Sequence, residues 1–310
     1  MKTILIIGGY GFLGTNIIKF VEDYLKGQYK VIVFDKFSSN RSGSTFDCVV
    51  KSYAGDFSDS VVVDRVFAEN QIDLVIHSLS TTVPSQSFNA RYDVETNLVP
   101  TIELLNCMVR HKVCDIVYIS SGGAVYGDLS LKQHKESEDV FPKSSYGVVK
   151  LAIEKYLMQY AALYGFRPLV LRLSNPYGPY HFSRQQGVCN VAMNAALLEE
   201  SFVVWGNGDA KKDYIYVNDF VNILFILLKK GIHRQVINVA SGCLVSVNEI
   251  LRQIRSMVPS FRWTYGEASK YDVSQFELDT TKLHSFVGDY RFVGIEEGLR
   301  LLFEWKKKEV

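Results

Sequence analysis

Ile4-Leu5-Ile6-Ile7-Gly8-Gly9-Tyr10-Gly11-Phe12-Leu13-Gly14 lies near the start of the chain. Four aliphatic residues, three of them β-branched, suit a short strand covered on both faces. Residues 12–26 then carry the apolar spacing of an amphipathic helix. Between them, the glycines satisfy G-x-G-x-x-G at Gly9, Gly11 and Gly14, and G-x-x-G-x-x-G at Gly8, Gly11 and Gly14. A strand, a bare tight turn and a helix N-terminus are what a pyrophosphate needs: close backbone approach, unpaired N–H groups and the positive end of a dipole. A second apolar run, Lys30–Phe34, ends at Asp35, about 20 residues beyond the last glycine, where a carboxylate accepts from ribose hydroxyls and repels a 2′-phosphate. The expected ligand is therefore NAD rather than NADP, although Lys36 and Arg41 lie close to that carboxylate.

Working outward, further apolar runs at Cys48–Tyr53, Leu74–His77, Ile116–Ile119 and Leu169–Leu173 alternate with helical stretches near 59–69, 87–111 and 145–164. Nearly all-apolar strands alternating with helices predict an α/β fold: a Rossmann-type doubly wound parallel sheet. After Ser174-Asn175-Pro176-Tyr177-Gly178-Pro179, which is rich in turn formers, the elements shorten. They read as helices near 188–200, 217–230 and 246–257 with strands near 202–205 and Val236–Val239. The expected organisation is an NAD-binding domain over 1–174 and a smaller C-terminal α/β substrate lobe over 175–310, with some late segments returning to the first sheet.

The 310 residues carry a net charge of +1, 47% hydrophobic and 22% charged side chains, the balance of a globular enzyme rather than of a nucleic-acid or anionic-membrane binder. No apolar run approaches the ~20 residues of a membrane span, and the run before Gly8 is too short for a signal peptide. A cytoplasmic protein is expected. Cys48, Cys107, Cys114, Cys189 and Cys243 form no C-x-x-C and read as reduced core thiols. No metal is expected, the six histidines showing no ligand-spaced cluster with them. Lys306-Lys307-Lys308 reads as a solvated helix end.

Ser144-Ser145-Tyr146-Gly147-Val148-Val149-Lys150 opens a helix and sets Tyr146 and Lys150 at i and i+4, on one face. A phenol of pKa ~10 is a poor base at neutral pH, and a neighbouring ammonium stabilises its phenolate. The pair can then take a proton from a sugar hydroxyl while hydride leaves for a nicotinamide. Ser120 and Ser121, at the carboxyl end of the fifth strand, are placed to hydrogen-bond the reacting oxygen.

With these pieces assembled, the chain resembles the extended short-chain dehydrogenase/reductase family, and within it the UDP-glucose 4-epimerase-like nucleotide-sugar enzymes, over residues 1 to about 285. The matching motifs are the glycine loop, Asp35, Gly55-Asp56-Phe57-Ser58-Asp59, Val75-Ile76-His77, Asn97, Ser120-Ser121 with Val125-Tyr126-Gly127, Tyr146 and Lys150, Arg172 to Pro179, Gly206-Asn207-Gly208 with Lys212 to Asp219, and Asp279 to Leu283. The resemblance implies cofactor contacts from Gly8, Gly11, Phe12, Leu13, Gly14, Asp35, Lys36, Asp56, Phe57, Ser78, Leu79, Asn97, Ser120, Tyr146, Lys150 and Asn175. It implies catalysis by Tyr146, Lys150 and Ser121, and substrate contacts from Ser121, Gly122, Tyr146, Asn175, Lys212 and Tyr214. It further implies NAD as cofactor, a UDP-hexose as substrate, C4 epimerisation through a 4-keto sugar, and a homodimer paired through the helices near 87–111 and 145–164.

Four positions depart from the family pattern. Gly122 stands where a catalytic Ser or Thr is usual, and Lys212 where an Arg is usual; Ser78-Leu79-Ser80 replace small residues, and Pro100 replaces a Gly. A 4,6-dehydratase also begins by oxidising C4 but needs an acid/base pair where Gly122-Gly123 stand. A uronic-acid epimerase or decarboxylase is a second rival, with Arg172 and Arg184 available to a carboxylate, although Arg172 reads better as structural. A non-catalytic NAD-binding regulatory protein is the alternative of another class, and intact Tyr146 and Lys150 argue against it.

Overall fold

The computed structural model describes residues 1–40, 43–83, 87, 89–127, 133–267 and 275–309; Arg41 lies outside them. In chain order the first half holds β1 (Lys2–Ile7), α1 (Phe12–Tyr24), β2 (Tyr29–Asp35), β3 (Val49–Ala54), α2 (Ser60–Glu69), β4 (Leu74–His77), α3 (Ala90–Asp93), a π-helical turn (Val94–Leu98), α4 (Val99–Arg110), β5 (Asp115–Ser121) and α5 (Gly122–Val125). There follow β6 (Gln133–His134), α6 (Ser145–Tyr164), β7 (Arg167–Leu173), β8 (Asn175–Tyr177), α7 (Val188–Leu197), β9 (Phe202–Trp205), β10 (Lys211–Tyr216), α8 (Val217–Lys229) and β11 (Gln235–Val239). The chain closes with β12 (Leu244–Ser246), α9 (Val247–Met257), β13 (Trp263–Gly266), β14 (Gln275–Leu278), α10 (Thr281–Val287) and α11 (Ile295–Glu309).

Two compact units are present. The first comprises residues 1–128, 139–173 and 224–237. Its seven-stranded sheet runs in the order β11-β7-β5-β4-β1-β2-β3. The pairs β1–β2, β1–β4, β2–β3, β4–β5 and β5–β7 are parallel, as strand–helix alternation predicts. Ile4 to Ile7 on the central strand are fully buried, because helices cover both faces. On one face Leu5, Ile7, Ile32, Phe34 and Val75 pack with Val63, Val66, Leu104, Leu105 and Ile153 from the helices. Each such side chain contributes about 1.5–3 kcal/mol by leaving water.

The helix expected over 87–111 differs in two ways. It starts at Ala90, with the Asn89 side chain accepting from Tyr92 N, and it is broken by the π turn. Only Val99 separates Pro100 from that turn. Pro100 has no N–H, so the α-helical bond it would owe to Thr96 cannot form, and one extra residue is absorbed just ahead of it.

The second unit comprises residues 129–138, 174–223 and 238–310. Its five-stranded sheet follows β12-β10-β14-β6, with β8 paired to β10, and β13 pairs β9 separately. Six of these strands, β6, β8, β10, β12, β13 and β14, were not anticipated. They are two to six residues long and find their partners far along the chain, so local periodicity carries little of their signal. Lys306 is also not solvated as expected: it is 6% exposed, its ammonium 5.6 Å from the Trp305 ring centre, because α11 turns that edge inward.

Candidate active site

Gly8, with φ at +80°, turns the chain out of β1, and Leu79 backbone approaches it so closely that a Cβ there would lie 2.9 Å from Leu79 Cα. At Gly14 a Cβ would lie 2.6 Å from Gly9 Cα, so α1 can leave the turn only as bare backbone. Gly11 is the N-terminal cap of α1, no side chain caps that end, and its first turn holds no carboxylate. An anion is the natural partner for such an end. Phe12 and Leu13 are half-buried in the same turn. Asp35 is buried at the tip of β2, one oxygen accepting from Tyr10 N at 2.9 Å and the other from Phe37 N at 3.1 Å. That holds a carboxylate in place beside the turn, and the set fits NAD.

The other expected cofactor contacts are placed unevenly. Ser78 donates to Ile7 O (2.9 Å) and Gly8 O (3.2 Å), tying β4 to the glycine turn. Lys36 and Asp56 are exposed; Asp56 accepts from Ser58 N and Oγ, and these bonds hold its carboxyl below the usual range. Phe57 is instead a core residue, edge-on to His77 at 5.3 Å. Asn97 is buried, its oxygen accepting from Thr81 N and its amide donating to Thr81 Oγ1, Thr96 Oγ1 and Asp93 O. It fastens the segment after β4 to the π turn.

Ser144 caps α6 by accepting from Gly147 N, and Ser87 Oγ accepts from Tyr146 N at 2.7 Å. Gly147 permits the approach: a Cβ there would meet Pro142 Cβ at 2.9 Å and Ala124 backbone. One turn into the helix, the buried Lys150 ammonium donates to Ile119 O at 2.9 Å. It stands 5.6 Å from the Tyr146 ring centre and 4.9 Å from that of Tyr118. Burial pushes Lys150 down to about 8, opposed by the charge of Glu154. Burial pushes the Tyr146 phenol up to about 12, opposed by a hydrogen bond from Ser121. Tyr146, Lys150 and Ser121 are thus brought together. Gly122 is buried as the first residue of α5, whose cap is the Ser121 hydroxyl accepting from Ala124 N. Buried His77, with Nε2 on Thr101 Oγ1 at 2.9 Å, is pushed down to about 3 by burial and by Lys150, so it is neutral.

Ser120 does not face the same way as Ser121. Adjacent strand residues point to opposite faces, and the Ser120 hydroxyl is buried on Glu154. Glu154 also accepts two bonds from Arg172 Nε at 3.2 Å and one from Nη2 at 2.8 Å, both side chains being 5% exposed or less. Sequence reading missed Glu154, although it sits four residues beyond Lys150 and Arg172 is the lone charge inside an apolar strand.

In the second unit, Asn175 and Tyr214 are neighbours across β8 and β10, and Asn175 Nδ2 donates to Asp213 O at 2.7 Å. Lys212 is half-buried and forms no ion pair among the described residues. Tyr214, expected as a substrate contact, is 8% exposed and packs in the core of this unit. Asp213 was missed: its carboxylate accepts from Ser174 Oγ, Ser241 N and Oγ, and Cys243 N, so it organises the loops around Asn175.

The reading that no histidine stands at ligand spacing with a cysteine needs correction. Cys107 and His111 are one helical turn apart, and their ligand atoms lie with one of Asp64 within 4.8 Å of one another. Arg110 takes the same Asp64 oxygen at 2.6 Å and burial pushes the Cys107 thiol up to about 12, so the group stands as a hydrogen-bonded cluster around an ion pair.

The chain matches the NAD dependent epimerase/dehydratase family over residues 4–240. It is 28% identical over 308 residues to a putative UDP-glucose 4-epimerase of Methanocaldococcus jannaschii, covering 98% of each chain. It is 25% identical to a dTDP-glucose 4,6-dehydratase of Haemophilus influenzae, again covering 98% of each. Among solved structures, UDP-glucose 4-epimerase of Thermotoga maritima with UDP-glucose superposes with a TM-score of 0.88 at 28% identity and 99% coverage of both chains. With the glycine turn, Asp35 and the Tyr146–Lys150 pair in place, the protein belongs to the NAD dependent epimerase/dehydratase family, and NAD is its cofactor.

Proposed function

We propose that this enzyme interconverts the C4 epimers of a UDP-hexose or a derivative through a transient 4-keto sugar. The observation that carries the reading is the grouping of Tyr146, Lys150 and Ser121 beside Gly122 and Gly123, two residues with no side chain to act as acid or base. When bound, NAD supplies a hydride acceptor and donor for C4. Tyr146 takes the proton of the 4-hydroxyl as that carbon is oxidised, and returns it when the carbon is reduced on its other face. Lys150 stabilises the phenolate, and Ser121 donates to the reacting oxygen. Asn175 and Lys212 hold the nucleotide sugar, Lys212 giving charge to the diphosphate without the bidentate fork of an arginine.

A 4,6-dehydratase would share the first step and then need to remove a proton from C5 and protonate the C6 hydroxyl. Gly122-Gly123 favour the epimerase, while a full-length dehydratase relative keeps the rival in the test. The purified protein with NAD is incubated with UDP-glucose, UDP-N-acetylglucosamine and UDP-glucuronate, and products are followed by NMR. A C4 epimer is expected, and Tyr146→Phe should abolish turnover while NAD still binds. A 4-keto-6-deoxy product would transfer the protein to the dehydratases; undiminished turnover in Tyr146→Phe would remove the assigned base. We also propose a homodimer through α3, α4 and α6, where Tyr92, Val99, Val148, Tyr156 and Leu163 are exposed apolar residues; a monomer by sedimentation would end that reading.

A further inference from the structure

Two successive residues of β5 fasten two successive turns of α6. Ile119 O accepts from Lys150 Nζ at 2.9 Å, and the Ser120 hydroxyl donates to Glu154. Arg172, directly beside Ser120 in the β5–β7 register, closes the group from the next strand by gripping Glu154 through Nε and Nη2. Its guanidinium carbon lies 4.8 Å from the Tyr126 ring centre. All of Ser120, Lys150, Glu154 and Arg172 are buried, so their charges act on one another through little water.

We infer that Glu154, clamped by Arg172 and Ser120, is a positioning residue that keeps the Lys150 ammonium charged and aimed at Tyr146, and so sets the pH range of turnover. This rests on the proposed roles of Tyr146 and Lys150. The groups facing Lys150 are Tyr146 and Glu154 on its own helix, Tyr118 on β5 and His77 on β4. His77 is neutral, and neither tyrosine carries charge in the resting state. Glu154 is therefore the one anion in this set, and its charge, beside the Ile119 carbonyl, works against the burial that drives the proton off Lys150. Arg172 makes the anion tolerable: a carboxylate buried without its partner is strongly disfavoured.

The test uses the NAD-bound enzyme labelled with 13C and 15N at lysine, with Lys150→Met to assign the resonance. The Lys150 titration is compared in wild type, Glu154→Gln and Glu154→Gln/Arg172→Met, and kcat and KM are measured against pH. Because Glu154→Gln strands a buried guanidinium and can fail to fold, the double replacement, which removes both charges together, is the deciding variant. The expected result is a Lys150 midpoint lower by about one pH unit or more, with the alkaline limb of kcat moved the same way and KM unchanged. A folded double variant whose Lys150 midpoint stays at the wild-type value overturns the inference, as does a lowered midpoint with an unmoved alkaline limb. Turnover that survives Tyr146→Phe would instead condemn the catalytic reading, which the Lys150 titration does not depend on.

Discussion

Replacing Lys150 by Met removes the charge on which the tyrosine depends in the proposed mechanism, while preserving length and volume. Tyr146 is pushed up to about 12 by burial, far above any working pH. The Lys150 ammonium is 5.6 Å from its ring centre, and with an effective dielectric of about 20 a unit charge at that distance favours the phenolate by about 3 kcal/mol. That corresponds to about 100-fold in rate if the ionised phenol is the base. We expect Lys150→Met to lower kcat about 100-fold with NAD still bound and no loss of melting temperature, since burying an ammonium is itself unfavourable. The pH profile adds a second signature. Lys150 is lowered from 10.5 to about 8, so its charge is present below about pH 8 and lost as pH rises through it. Wild-type turnover should therefore decline above about pH 8, and the variant should lack that decline. Sugar conversion followed by NMR, with melting measured in parallel, checks both. A variant that keeps kcat within about fivefold of wild type would show that Lys150 does not act through its charge.

Gly14→Ala should destabilise the protein by about 1–3 kcal/mol, because its Cβ meets Gly9 backbone at 2.6 Å, and should weaken NAD binding by calorimetry; unchanged affinity would show the turn to be more yielding than its packing implies. Ser120→Ala should lower stability by about 1.5–3 kcal/mol by removing a donor from buried Glu154, yet leave NAD affinity unaltered; weaker NAD binding would return Ser120 to the cofactor contacts.

The glycine turn illustrates what is legible in a linear sequence. Its requirements are local: a strand end, bare backbone and a helix start within eleven residues, so the pattern and its meaning coincide. The parallel sheet was likewise readable, because strands buried on both faces must be apolar throughout. The small strands of the second unit were not. β10 pairs with β8, β12 and β14, segments up to about 60 residues away, and none has enough length or alternation to declare itself. Cys107 and His111 were overlooked for a simpler reason: one helical turn is ligand spacing, and only the approach of Asp64 from α2 showed it.

At the site, the i, i+4 spacing of Tyr146 and Lys150 determined that they share a helix face, since the helical period is a property of the chain itself. Which of two adjacent serines reaches the phenol was decided by the pleat and packing of β5: Ser121 hydrogen-bonds Tyr146, and Ser120 turns to Glu154. By itself the sequence determined the parallel sheet, the glycine turn and the placing of Tyr146 and Lys150 on one helix face, all written in short-range pattern. Only the tertiary structure decided that Arg172 would meet Glu154 and that Lys150 would sit with them in the interior. A buried charge takes its partner and its proton affinity from whatever other segments bring within a few ångströms, and no local pattern records that.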